Sequence, residues 1–116
     1  MKVLLVDDER KFATMLAKRL ALRGIDIDPV FTGEDALVRA QTQKYSVAIL
    51  DVKMPGMGGI KLERKLKELD PGMKIIFLTG HGSKTDFEKG SASATCYLAK
   101  PIQIDELIKI LRKVTG

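Results

Sequence analysis

The chain has 116 residues, 45% of them hydrophobic and 30% charged, a balance that suits one soluble domain and leaves too little apolar material for two separate cores. No apolar run approaches the ~20 residues of a membrane-spanning helix, and the opening Met1-Lys2-Val3-Leu4-Leu5-Val6 meets Asp7, Asp8 and Glu9 too soon for a secretory leader. Against 15 Asp and Glu stand 20 Lys and Arg, giving a formal charge of +5 and a pI near 9.4, but these cations are dispersed among apolar positions as on solvated helix faces, and two Tyr, four Phe and no Trp supply no base-stacking platform.

Lys2 to Val6 is the first of five short runs rich in Val, Ile and Leu, each too short for a typical helix and therefore read as a strand. Phe12, Met15, Leu16 and Leu20 then recur at three- and four-residue spacing, the apolar stripe of a first helix that Gly24 follows. Ile25 to Val30 is the second strand, and Thr32 is placed to N-cap a second helix carrying Ala36, Leu37 and Ala40. Ser46 to Leu50 is the third strand; Ile60, Leu62, Leu66 and Leu69 mark the third helix, which Pro71-Gly72 ends. Lys74 to Leu78 is the fourth strand. The segment from Ser83 to Ala92 is expected to form only a short fourth helix, since Phe87 is its one large apolar anchor and Gly90 is a poor helix former. Thr95 to Ala99 is the fifth strand and holds the single cysteine, Cys96, which cannot close an internal disulfide and suits a reducing cytoplasm. Ile104, Leu107, Ile108 and Leu111 form the stripe of the last helix. Five alternations of strand and helix predict an α/β domain, a doubly wound parallel sheet with right-handed crossovers and helices on both faces.

Ligands of such sheets bind in the crevice beyond the carboxyl ends of the strands. The residues there are Asp7 and Asp8 after the first strand, Asp51 after the third, Thr79 after the fourth, and Lys100-Pro101 after the fifth. Any one of these acids could simply cap a helix. Together they describe a site: three clustered carboxylates repel one another unless a cation joins them, and hard oxygen donors with room for water suit Mg2+. A carboxylate beside such an ion can act as nucleophile toward a phosphoryl donor, with a lysine and a hydroxyl completing the surroundings.

Four stretches carry a resemblance that extends over nearly the whole chain: Leu4-Leu5-Val6-Asp7-Asp8-Glu9, Leu50-Asp51-Val52-Lys53-Met54-Pro55-Gly56-Met57-Gly58-Gly59, Phe77-Leu78-Thr79-Gly80 and Tyr97-Leu98-Ala99-Lys100-Pro101. In these the sequence resembles the receiver domains of two-component response regulators. The resemblance implies a flavodoxin-like (β/α)5 fold of strand order 2-1-3-4-5, with residues 1–116 forming one receiver domain and no output domain encoded. It implies that Asp51 is the phosphoacceptor, that Asp7, Asp8, Asp51 and the backbone carbonyl of Lys53 hold Mg2+, and that Thr79 and Lys100 sense the phosphoryl group. It further implies a cis bond before Pro101, Tyr97 as a switch residue, and Lys53 and His81 as side chains that tune phosphoryl lifetime. The structural alternatives are a Tyr97 that only packs, a His81 that is only solvated, and Met54 and Met57 as loop packing.

By resemblance the partners are a sensor histidine kinase or a histidine phosphotransfer protein and a downstream output protein or domain; the dispersed cations and the lack of a spanning run predict no direct nucleic-acid or membrane binding, and the lone Cys96 a cytoplasmic location. A homodimer is compatible with the family. The domain is expected to transfer phosphoryl groups only onto and off itself, and so not to be an enzyme acting on other substrates. The stretch between Thr79 and Lys100 departs from the family pattern: Ser93-Ala94 stands where Gly-Ala is common, and the spacing is about one residue short. Two other readings compete. A receiver-like module could dock a partner without phosphorylation, and a small phosphohydrolase could use the same fold. The phosphohydrolase reading is weakened by the absence of a Gly-rich phosphate loop and of a second acid two residues beyond Asp51.

Overall fold

The period-two alternation of apolar side chains decides which way each strand faces, and in the computed structural model, which describes residues 1–80 and 96–116, it builds two cores on opposite sides of one sheet. The strands are β1 (Lys2–Val6), β2 (Asp26–Val30), β3 (Val47–Asp51), β4 (Lys74–Thr79) and β5 (Cys96–Ala99). All are parallel, in the order β2-β1-β3-β4-β5. Among the described residues the helices are α1 (Arg10–Leu22), α2 (Gly33–Thr42), α3 (Gly59–Leu69) and α4 (Ile104–Thr115). The expected helix from Ser83 to Ala92, together with Thr95 and His81, lies outside the described residues.

On one face Val3, Leu5, Val47, Ile49, Ile76 and Leu78 pack with Leu16 and Leu20 of α1 and Leu107 and Leu111 of α4. Their chain neighbours Leu4, Val6, Ala48, Leu50, Ile75 and Phe77 face the other way, onto Ala36 of α2 and Leu62 and Leu66 of α3. A sheet covered on both faces must be apolar at consecutive positions, which is why β1, β3 and β4 read as continuous runs. Met54 and Met57 pack against the second core, as loop packing would have it.

The punctuation behaves as the sequence suggests. Thr32 Oγ1 accepts the Asp35 N–H at 3.1 Å, capping α2, and Gly24 turns the chain after α1 with a φ of +83°. Two apolar positions assigned to helix stripes instead face solvent, Met15 on α1 and Leu69 on α3, at 41% and 47% exposure. Each helix already buries its face through other residues, Leu16 and Leu20 on α1 and Leu62 and Leu66 on α3. At the sheet edge the buried Tyr45 hydroxyl donates to Asp28 Oδ2 at 2.7 Å, and Lys2 and Arg39 pair with the same carboxylate. Burial first, and then Asp28, pushes the Tyr45 phenol up to about 12.

The chain leaves β1 for β2 on one side and returns to β3 on the other, so the strand order reverses between β1 and β3. That reversal opens a crevice at their carboxyl ends.

Candidate functional site

Register brings the acids together. Val6 of β1 lies opposite Leu50 of β3 and Asp51 lies opposite Leu78 of β4, so one further step along each strand sets Asp7 beside Asp51 at the crevice floor. Asp7 is fully buried, Asp51 is buried and Asp8 is exposed at the rim. One carboxylate oxygen from each of the three lies within 4.8 Å of the others. Around them a cavity of about 210 Å3 is lined by Asp8, Glu9, Asp51, Lys53, Thr79, Gly80 and Lys100.

The backbone is pinned close to these groups. Asp7 N–H donates to the Val30 carbonyl at 3.1 Å and Val52 N–H to the Leu78 carbonyl at 3.2 Å, which fixes the two loops to neighbouring strands. Gly59, the first residue of α3, lets that helix abut the end of β3, because a Cβ there would run into the Asp51 carbonyl oxygen. Thr79 ends β4 opposite Ala99, and the Lys100 N–H donates to the Thr79 carbonyl at 2.8 Å, so the hydroxyl-bearing and ammonium-bearing residues share one rim. The Lys100–Pro101 peptide is cis.

Electrostatically the site is poised for a cation. Burial, and then the neighbouring Asp7 carboxylate, raises the Asp51 carboxyl to about 7 although Lys100 opposes the shift. Lys100 is itself held above the ordinary lysine range: burial works against its charge, but the carboxylates of Asp7 and Glu9 prevail. Its Nζ lies 2.8 Å from Asp7 Oδ2 and 2.8 Å from Glu9 Oε1. The Glu9 contact is a directed hydrogen bond, whereas the fully buried Asp7 Oδ2 meets the ammonium as an ion pair. Proximity at 2.8 Å settles the attraction, and the unused lone pair is what a metal ligand would offer. Asp7 Oδ1 meanwhile accepts the Glu9 N–H at 2.9 Å. A buried carboxylate oxygen with a lone pair to spare, two further carboxylates within reach and space for several waters fit a small hard dication such as Mg2+, which keeps part of its hydration.

Of the sequence-derived site residues within the described region, Asp7, Asp8, Asp51, Lys53, Thr79 and Lys100 gather around this cavity, and Tyr97 packs apart from it against the second core. Lys53 lines the cavity, and Tyr97 lies half-buried with its ring stacked on Phe77 at 5.8 Å between centroids and 23° between planes. His81 falls outside the described residues. Two residues that sequence reasoning did not assign also belong here: Glu9, through its bond to Lys100, and Phe12, whose ring centroid lies 4.5 Å from Lys100 Nζ. Glu9 stood only as the last letter of a matched motif and Phe12 as an apolar stripe residue; neither pattern shows that a lysine some 90 residues later folds back over both. Among the described residues no helix is long and apolar enough to cross a membrane.

Comparison with known proteins is consistent with this geometry. The family profile of the response regulator receiver domain matches residues 3–112. The transcriptional regulatory protein TctD of Salmonella typhimurium is 34% identical over 113 residues, covering 97% of this chain and 50% of TctD. Response regulator TrrA of Thermotoga maritima, in complex with Mg2+ and BeF, superimposes with a TM-score of 0.87 at 33% identity, over 98% of this chain and 99% of that one. A response regulator protein of Burkholderia pseudomallei with a phosphorylated aspartic acid, a calcium ion and citrate superimposes with a TM-score of 0.85 at 29% identity, over 92% of this chain and 64% of that one. The chain spans about half the length of the curated relatives it matches.

Proposed function

The chain belongs to the response regulator receiver domain family of two-component signalling, and we propose that within it Asp51 is the residue that accepts the phosphoryl group. The observation that carries this reading is the meeting of Asp7, Asp8 and Asp51 within 4.8 Å, with Asp51, Thr79 and Lys100 lining one cavity. Of the three acids Asp51 sits on the central strand β3, buried at the crevice floor and flanked by the loops that follow β1 and β4. Asp7, Asp8, Asp51 and the Lys53 backbone carbonyl are the groups that would hold Mg2+. When bound, the ion supplies neutralisation of charge on the phosphoryl oxygens and lets Asp51 stay ionised as a nucleophile.

In the transfer a carboxylate oxygen of Asp51 forms a bond to phosphorus while the bond from phosphorus to the donor breaks, its electron pair leaving with the donor, such as the imidazole of a phosphohistidine. The product carries close to two negative charges and three strong acceptor oxygens. Lys100 meets that charge as a point cation and Thr79 meets it as a hydroxyl donor. Displacement of the Thr79 side chain changes the space beside β5, where Tyr97 rests on Phe77, and a reorientation of Tyr97 would alter the outer surface of the domain. Lys53 and His81 set the access of water and donor to the phosphoryl group. The phosphoryl donor is a sensor histidine kinase or a histidine phosphotransfer protein; the receiver of the surface change is a downstream output domain or protein, or a second copy in a homodimer. The domain acts only on its own aspartate and works in the cytoplasm.

Incubation with Mg2+ and acetyl phosphate, followed by intact-mass measurement, should show one phosphoryl adduct. Asp51→Ala should abolish it; an adduct persisting at full stoichiometry in that variant would overturn the assignment.

A further inference from the structure

Lys100 is gripped before any phosphoryl group arrives. Its ammonium donates to Glu9 Oε1 at 2.8 Å, pairs with Asp7 Oδ2 at 2.8 Å and stands 4.5 Å from the centre of the Phe12 ring. The two carboxylates differ in kind. Asp7 is fully buried and, on the reading above, gives its charge to the metal; the Glu9 side chain is 63% exposed and lies just ahead of α1. Once Asp7 is engaged, Glu9 is the neighbour that still competes with Asp51 for the ammonium.

We propose that Glu9 is a positioning residue that holds Lys100 in a resting pose, so that a phosphoryl group on Asp51 must win the ammonium from the Glu9 carboxylate. The inference rests on Asp51 being the acceptor. A lysine is a compact charge on a flexible stem with three donors, so it can transfer between anions by rotating its side chain without moving the backbone. The partial exposure of Glu9 makes the hold weak, because water competes for both charges. The contact therefore sets a threshold for the switch and does not block it. The Phe12 ring adds a face that attracts the cation in the resting pose.

Beryllofluoride serves as the probe, titrated calorimetrically against the protein at saturating Mg2+. Glu9→Gln removes the charge and keeps the size, and should tighten beryllofluoride binding by about two- to fivefold, the range expected for a partly exposed ion pair. Glu9→Asp keeps the charge but draws the carboxylate back by one methylene, so it should also tighten binding. A general relief of negative charge over the crevice would instead leave Glu9→Asp like the wild type, and that result would overturn the proposal. In a Lys100→Met background the gain from Glu9→Gln should vanish; a gain that persists undiminished would likewise overturn it, as would unchanged or weaker binding by Glu9→Gln alone. Failure of the wild type to bind beryllofluoride in the presence of Mg2+ would overturn the acceptor reading and this inference with it.

Discussion

Asp51 shows how a single buried carboxylate can be unfavourable for the metal-free fold and useful for its chemistry. With its carboxyl raised to about 7, first by burial and then by Asp7, the folded protein binds a proton that the unfolded chain releases near pH 4. A raised native value contributes stability that is fully present below the unfolded value and is lost as pH rises through the native one. In chelator, the wild type should therefore lose on the order of 3 kcal/mol from this group between pH 4 and pH 7. Asp51→Asn cannot ionise and should escape that loss, ending more stable than the wild type at neutral pH. Urea unfolding of both proteins across this range checks it, and the difference between the two curves is the relevant quantity because other carboxylates titrate over the same interval. Parallel curves would show that Asp51 is not strained by its burial.

Among elements, the join between β3 and α3 ties fold to site most directly. Gly59 packs so closely that a Cβ would meet both the Asp51 carbonyl oxygen and the Val52 Cα, backbone atoms that cannot swing aside as a side chain could. Gly59→Ala should cost roughly 1–3 kcal/mol, the usual range for forcing extra volume into a packed region. It should also weaken Mg2+ binding, measured by titration calorimetry, because relief of the clash moves Asp51. The same join explains a limit of sequence reading. Apolar runs marked all five strands, yet β3 and β4 extend one residue further than those runs, into Asp51 and Thr79. Polar residues that serve the site look like loop in the sequence even where the backbone continues the ladder. Met15 and Leu69 failed for a different reason: spacing identifies a helical stripe but cannot say where its edge meets solvent.

Taken whole, the molecule was legible to the extent that its site is made of strand ends. Alternation of strands and helices gave a parallel sheet, and the rule that ligands bind beyond its carboxyl edge selected Asp7, Asp8, Asp51, Thr79 and Lys100 without coordinates. The strand order came only from resemblance, since alternation does not say on which side of β1 each later strand is laid. The grip of Glu9 and Phe12 on Lys100 depended on side-chain directions that no spacing encodes. A site gathered from the loops after β1 and β3 has a global consequence. A ligand that needs both loops in their native places binds only the folded chain, so Mg2+ should stabilise the whole domain by about RT ln(1 + [Mg2+]/Kd), or roughly 2.7 kcal/mol at a hundred times its Kd. The gain should be larger at pH 8 than at pH 6, because the proton on Asp51 competes with the ion at the lower pH. Asp8→Asn removes a carboxylate charge from the rim of the cluster and should lose most of the effect. Thermal unfolding with MgCl2 compared with NaCl at equal ionic strength separates binding from screening. An equal response to the two salts would mean that the three carboxylates do not act together as a site.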